Sequence, residues 1–308
     1  MKSARNARAK ANSPPSAKRG ASKVSISMVG FFDILGFSAK VEKVQSETEL
    51  VEIAGTVESI RKHFEFRAKD KSTRETHTIL GKQVLAFSDC VVTAGSVQTD
   101  FVRSEGLYDT FGSQIVDMAY SQVRCILDGY FLRGGVDIGY WYHQKGLLVS
   151  PALVGAYKEE QQRALYPVIS ISKQLYKLLR DDPGRKFYSK DSDPFSDEFS
   201  SFSHPDGGRV HYINYLRLAA KSLDWDFDKA TYDAYKAAPR DSDERDKIMG
   251  EGYLRSLEHF FKRHKELIVS AHKAAGAKVK AKYKFLADYH NKELRYFLPK
   301  QHELRVSL

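Results

Sequence analysis

The chain has 308 residues, enough for one large domain or for one domain with an appended piece, and 42% hydrophobic residues allow a sizeable core. No apolar run approaches the roughly 20 residues of a membrane span, and Cys90 and Cys125 lie in apolar segments with no Cys-x-x-Cys pair and no secretory signal. These features exclude a membrane-spanning or disulfide-framed protein and read as a cytoplasmic one with reduced thiols. The net charge of +10 is a weak pointer to nucleic acid, because residues 1–23 carry seven basic side chains and no acid, leaving +3 for the other 285.

In chain order, residues 1–23 mix Lys and Arg with Ser, Ala, Pro14 and Pro15, and read as a disordered, solvated tail. Residues 29–37, Val-Gly-Phe-Phe-Asp-Ile-Leu-Gly-Phe, place one carboxylate, Asp33, inside an apolar run opened by Val24 and Ile26. The run reads as a buried strand, and Gly36 marks a sharp turn into helix. A charge at the end of a buried strand is costly unless a cation or donors compensate it. A strand, Gly turn and helix in succession also offer backbone N–H groups to phosphate. The stretch therefore supplies a candidate metal ligand, Asp33, beside a candidate anion cradle, Ile34 to Phe37.

Residues 47–67 carry Leu50, Val51, Ile53, Val57, Ile60 and Phe64 at helical spacing. Residues 76–80 and 83–87 read as a hairpin turning at Gly81-Lys82. The second strand ends at Phe87-Ser88-Asp89, and strand character resumes at Cys90-Val91-Val92. The next stretch, 97–108, reads as loop, 110–130 as helix and 131–140 as a strand opened by Arg133. Residues 147–149 read as a short strand, 152–165 as helix, 166–170 as strand and 171–180 as helix. The Asp-, Ser-, Pro- and Gly-rich stretch 181–208 reads as a surface excursion. From His211 the pattern is mainly helical, broken near Pro239, and it includes the lysine-rich run Lys273, Lys278, Lys280, Lys282 and Lys284. This order predicts an α+β fold with helices on a mostly antiparallel sheet, a catalytic domain over 24–215 and a helical extension over 216–308.

If the strands that carry them are neighbours, Asp33 and Asp89 emerge at the same sheet edge. Two such carboxylates can hold two Mg²⁺ or Mn²⁺ ions about 3.5–4 Å apart, an arrangement used for in-line phosphoryl displacement. Arg133 offers a guanidinium fork for phosphate oxygens. Asp137, alternating with Val136 and Ile138, reads as a solvated strand position, and His143 as a structural histidine.

These pieces resemble the class III nucleotidyl cyclases over about residues 27–175. Phe32-Asp-Ile-Leu-Gly-Phe37 is similar to the first metal motif of that family, Phe87-Ser-Asp89 to its second, and Arg133-Gly-Gly-Val-Asp-Ile-Gly139 to its polyphosphate-binding strand. The resemblance implies Asp33, Asp89 and the Ile34 carbonyl as metal ligands and Asp33, Asp89 and Arg133 as catalytic residues. It implies further that the turn Phe32, Ile34, Leu35, Gly36 and Phe37 lies under the phosphates, and that the site is completed in a head-to-tail homodimer. Two departures concern the base. Leu85 stands where adenylyl members carry a base-reading Lys, and Pro167, after Tyr166, stands where they carry an Asp. The family's later Asn and Arg have no match within residues 169–179.

Pro151-x-Leu-Val-x-Ala-Tyr-Lys-Glu-Glu160 followed by Ala164-Leu-Tyr-Pro167 instead resembles the bacterial pyrimidine cyclases of Pycsar phage defence, apart from Val168 where that group often has Arg. This implies UTP or CTP as substrate, a cyclic pyrimidine nucleotide as product and a downstream effector that senses it. Leu85, with bulky Phe87 and Tyr166, is expected to border a pocket narrowed for a single-ring base. The rival expectations are a cyclase-like nucleotide-binding domain without turnover, or a nucleic-acid module using the basic tail and the lysine-rich helix.

Overall fold

A computed structural model of the chain describes residues 24–65, 81–189, 192–224 and 228–308. The expected tail 1–23 and the expected strand 76–80 lie outside them. The organising strand is β1 (Val24–Ile34). Its alternate residues serve two cores: Met28, Phe32 and Ile34 enter the larger cluster on one face, and Val29 and Phe31 the smaller cluster on the other.

After β1 the chain runs through a short helix α1 (Ser38–Val41), α2 (Glu47–Phe64), β2 (Lys82–Phe87), β3 (Cys90–Ser96), α3 (Asp100–Glu105), α4 (Leu107–Leu127) and β4 (Leu132–Gln144). β1 lies antiparallel between β3 and β4, and β2 pairs antiparallel with β3. The order β2-β3-β1-β4, with α2 and α4 as the two crossovers, is a ferredoxin-like βαββαβ core. It is extended by β5 (Leu147–Val149) against β4, then α5 (Pro151–Arg163), β6 (Ile169–Ile171) and α6 (Lys173–Arg180). After α7 (Phe195–Glu198) come β7 (Phe199–Ser203) and β8 (Arg209–Ile213), which complete an eight-stranded sheet ordered β2-β3-β1-β4-β6-β8-β7. Four more helices follow: α8 (Tyr215–Lys221), α9 (Lys229–Ala237), α10 (Asp243–Ala274) and α11 (Ala277–Phe297).

α2 and α4 pack on the first face together with α10 and α11, so that Ile60, Ile115, Phe261 and Leu286 share one cluster with Phe32. Among the described residues, α5 is the helix that packs on the second face. It starts where Ser150 accepts the Leu153 N–H and Pro151 occupies the first turn. It lies close on β4 because the strand is glycine there. A Cβ on Gly135 would stand 2.2 Å from the Ala156 carbonyl oxygen and 2.6 Å from the Glu160 nitrogen.

The expected turn at Ser88-Asp89 joins β2 to β3 as a hairpin, and Ser88 has a φ of 52°, in the left-handed region used in tight hairpin turns. Three differences from the sequence reading have local causes. The expected loop 97–108 holds α3, capped by Thr99. The expected strand 166–170 shrinks to Ile169–Ile171, because Pro167 has no N–H to pair and the Val168 N–H turns back to the Tyr166 carbonyl at 2.7 Å. The excursion and the stretch after His211 contain β7 and β8, where Phe202 pairs Val210 and Phe199 pairs Ile213.

Candidate active site

The site is a cross-strand row. Register pairs Asp33 with Cys90 of β3 on one side and with Arg133 of β4 on the other. Directly paired antiparallel residues project to the same face, so the three side chains stand together on the α5 face. β3, not β2, is the neighbour of β1, and the turn residue Asp89 is nevertheless carried to Asp33 because it immediately precedes Cys90. Carboxylate oxygens of Asp33 and Asp89 and the Cys90 sulfur all lie within 4.8 Å of one another. Ser38 Oγ, at the start of α1, donates to Asp89 Oδ2 at 2.6 Å, and the Cys90 thiol faces Asp89 Oδ1 at 3.7 Å.

Arg133 is held between two carboxylates. One guanidinium nitrogen lies 3.5 Å from Asp33 Oδ2 and closer to Glu160 Oε1. The Glu160 side chain is 0% exposed, and its second oxygen accepts from Gln161 Nε2 at 2.6 Å. Arg133 Nε has no hydrogen-bond partner.

Protonation follows from these surroundings. Burial pushes the Asp33 carboxyl above the ordinary aspartate range; Arg133 and Lys282 of α11 oppose this, and Asp89 adds to it. Burial works to raise Asp89 as well, but hydrogen bonds from Ser38, its own N–H, Ser88 and Cys90 outweigh burial and hold it below the ordinary range. Burial, then Asp89 and Asp33, push the Cys90 thiol up to about 12, so it is a protonated thiol at neutral pH. The donor set suits a divalent cation: two converging hard carboxylates leave coordination positions for water and phosphate, as Mg²⁺ and Mn²⁺ require.

The structure brings Asp33, Asp89 and Arg133 together but narrows the expected cradle. Leu35 N–H already donates to the Phe131 carbonyl at 2.9 Å, and Phe37 N–H to the Ile34 carbonyl at 3.0 Å. The exposed Gly36, with φ 75°, remains at the apex. The Ile34 oxygen, expected as a ligand, thus carries an internal bond on one of its two lone pairs. The side chains of Phe32 and Phe37 are core, Phe32 stacking on Phe64 at 4.5 Å, so only their backbone can face a ligand.

Leu85 and Tyr166 do not meet. Leu85 on β2 packs on the smaller cluster, and β3, β1 and β4 separate that strand from β6. Tyr166 stacks on Phe285 of α11 with ring centroids 3.9 Å apart, and its edge contacts Phe202. The expected pocket bordered jointly by Leu85, Phe87 and Tyr166 therefore has no counterpart within one chain. Phe87 and Tyr157, each about half exposed, instead flank Phe31 two residues from Asp33. Asp137 is not a solvated strand position: it accepts from Ser172 Oγ at 2.6 Å and lies under Gly155 of α5. His143 bonds Gln83 at 3.0 Å, a structural contact.

Glu160 and Cys90 were not singled out by the sequence reading. The signal for Glu160 was the four-residue stripe Ala152, Ala156, Glu160 facing the glycine-bearing strand. Small residues at a helix–strand contact mark a close approach, and the next residue on that stripe must meet whatever the strand carries there.

No protein-family profile matches the sequence, and no curated protein matches it. Among solved structures, the chain is similar to a bacterial light-regulated adenylyl cyclase (14% identity, TM-score 0.37, covering 62% of this chain and 91% of that one). It is similar to the adenylyl cyclase CyaB from P. aeruginosa (14%, TM-score 0.36, 62% and 94%). A third is the guanylyl cyclase domain of the RhoGC fusion protein from the aquatic fungus Blastocladiella emersonii (11%, TM-score 0.38, 61% and 94%). Among the described residues no helix is long and apolar enough to cross a membrane.

Proposed function

We propose that the protein is a metal-dependent nucleotidyl cyclase that converts a pyrimidine nucleoside triphosphate, UTP or CTP, to the 3′,5′-cyclic monophosphate and pyrophosphate. The observation that carries this reading is the convergence of Asp33, Asp89 and Arg133 from three separate sequence motifs, with Asp89 beside Asp33 and the Arg133 guanidinium between Asp33 and Glu160. Asp33 and Asp89 would hold a divalent cation, which when bound would lower the pKa of a ribose hydroxyl and compensate phosphate charge.

The chain's own residues do the rest. Ser38 fixes the Asp89 carboxylate in place, and Arg133, whose side chain is partly exposed beside Asp33, offers guanidinium donors to incoming phosphate oxygens. In the reaction the 3′-oxygen attacks the α-phosphorus and pyrophosphate leaves. The guanidinium counters charge on the leaving group, a mainly electrostatic contribution.

Pyrimidine selectivity is supported by Leu85 and Pro167 standing where adenylyl members of the resembled family carry a base-reading Lys and Asp. The resemblance of residues 151–167 to the phage-defence pyrimidine cyclases supports a messenger role, with a downstream effector as partner. A homodimer is supported by the half-exposed Phe87 and Tyr157 beside the row and by the exposed Val154, three residues before Tyr157 on α5.

The test is incubation of the purified protein with each of the four nucleoside triphosphates and Mn²⁺, with products identified by mass. Cyclic UMP or cyclic CMP is expected in excess over the purine products. Faster formation of cyclic AMP or cyclic GMP defeats the base assignment, and no cyclic product from any nucleotide defeats the activity.

A further inference from the structure

Arg133 is shared unequally, and the reason lies in burial. Its hydrogen bond to Asp33 Oδ2, at 3.5 Å, is longer than a good charge-assisted bond of about 2.7–2.9 Å, whereas it approaches Glu160 Oε1 more closely, as an ion pair without hydrogen-bond alignment. The Glu160 side chain is 0% exposed and that of Asp33 19%. Asp33 can recover solvation from water or from a cation, but Glu160 cannot. An ionised carboxylate without water must be paired, and burial already raises Glu160 toward its neutral form against the pull of Arg133. The backbone gives Glu160 no way to withdraw, since α5 rests directly on Gly135.

We infer that Glu160 is a positioning residue that tunes the divalent-cation affinity of the Asp33–Asp89 pair by drawing the Arg133 guanidinium off Asp33. This rests on the metal-site reading above. With Glu160 ionised, the fork leans away and Asp33 keeps charge to give to a cation. Without that charge, the fork closes onto both Asp33 oxygens and competes with the cation for them. Arg133 would then lie across the aspartate rather than extend toward phosphate, so the same contact prepares both halves of the site.

The experiment is calorimetric titration of Mn²⁺ into the full chain, wild type, Glu160→Gln and Glu160→Asp, with a crystal structure of each metal-free variant. Glu160→Gln is expected to weaken Mn²⁺ binding about tenfold or more, the scale of one unit-charge interaction near a surface, and to bring Arg133 within bidentate reach of Asp33. Glu160→Asp separates positioning from simple field effects, because it keeps the charge and loses only reach. Positioning predicts an intermediate weakening with a partial shift of Arg133; a field acting at a distance predicts wild-type affinity. If Glu160→Gln does not fold, the Asp variant decides alone. Unchanged affinity in the variants, or weakening with Arg133 unmoved, overturns the inference while leaving the metal site standing. Failure of wild type to bind Mn²⁺ overturns both.

Discussion

Among the described residues, two Glu–Arg pairs have a fully buried carboxylate, and they are built to opposite ends. Glu293 of α11 is 0% exposed and meets Arg217 of α8 at 2.8 Å; Glu160 is 0% exposed and meets Arg133. Around Glu293 the polar groups close on one another. Asn214 Nδ2 donates to Glu293 at 3.3 Å, Tyr289 O–H donates to Asn214 Oδ1 at 2.6 Å, and the Leu216 N–H donates to the tyrosine oxygen at 3.1 Å. Arg217 also lies over the Tyr296 ring at 4.1 Å. Around Glu160 the pattern stays open: Arg133 Nε and Glu160 Oε1 have no hydrogen-bond partner, and Asp33 and Asp89 add two carboxylates beside them. A satisfied network ties elements together; one with converging carboxylates and unsatisfied polar atoms is arranged for a cation.

Breaking each pair separates the two roles. The largest effect is expected at the open pair, where Asp89→Asn keeps shape but removes a ligand charge. Cyclisation should fall below about one part in 10⁴, about 5 kcal/mol at 1.36 kcal/mol per decade, with the thermal midpoint unchanged. Retained turnover would remove Asp89 from the site. At the closed pair, Arg217→Met leaves Glu293 buried and unpaired and should cost about 3–5 kcal/mol in urea unfolding, with unchanged turnover per folded molecule. Lost turnover in the folded fraction would erase the contrast. Arg133→Lys keeps the charge without the fork and should lower turnover roughly 10²-fold; wild-type rates would show the residue to be only a brace.

A smaller effect sharpens the closed side. Tyr215 O–H, His264, His290 and the Leu304 carbonyl form a chain with separations of 3.1, 2.9 and 3.0 Å. Since the Leu304 carbonyl only accepts, neutral rings allow one assignment: His290 Nε2–H donates to it, His264 Nδ1–H to His290 Nδ1, and Tyr215 O–H to His264 Nε2. Burial lowers both rings, His290 to about 4 and His264 well below its ordinary value. Above the unfolded-state value of about 6.5 both states are neutral. As pH falls from there toward about 4 only the unfolded chain takes up protons, so native stability is lost. His290→Phe, which leaves two groups unpaired, should cost about 1–3 kcal/mol at pH 7.5, and its gap to wild type in urea midpoint should narrow as pH drops through that window. A gap independent of pH would mean that the rings are not held neutral.

The sequence made part of this legible. Asp33, Asp89 and Arg133 each sit in a short apolar or glycine-bearing frame, and strand alternation is enough to project Asp33 and Arg133 to one side. The fork's second carboxylate was not legible, because Glu160 acquires its role only when α5 crosses β4 at Gly135, a long-range contact with no local signature. Strands β7 and β8 were hidden because serine fills three of the five β7 positions, in a stretch otherwise rich in turn residues. Tyr166 was read as a pocket wall, but its ring partner Phe285 lies on a helix 119 positions later.

The central claim, that the open pair marks a cation site and the closed pair does not, is tested most directly by the electron paramagnetic resonance signal of free Mn²⁺ titrated against wild type, Asp33→Ala and Arg217→Met. Wild type and folded Arg217→Met should withdraw the signal to the same extent, and Asp33→Ala should leave it as in buffer. Equal Mn²⁺ binding by wild type and Asp33→Ala would contradict the account.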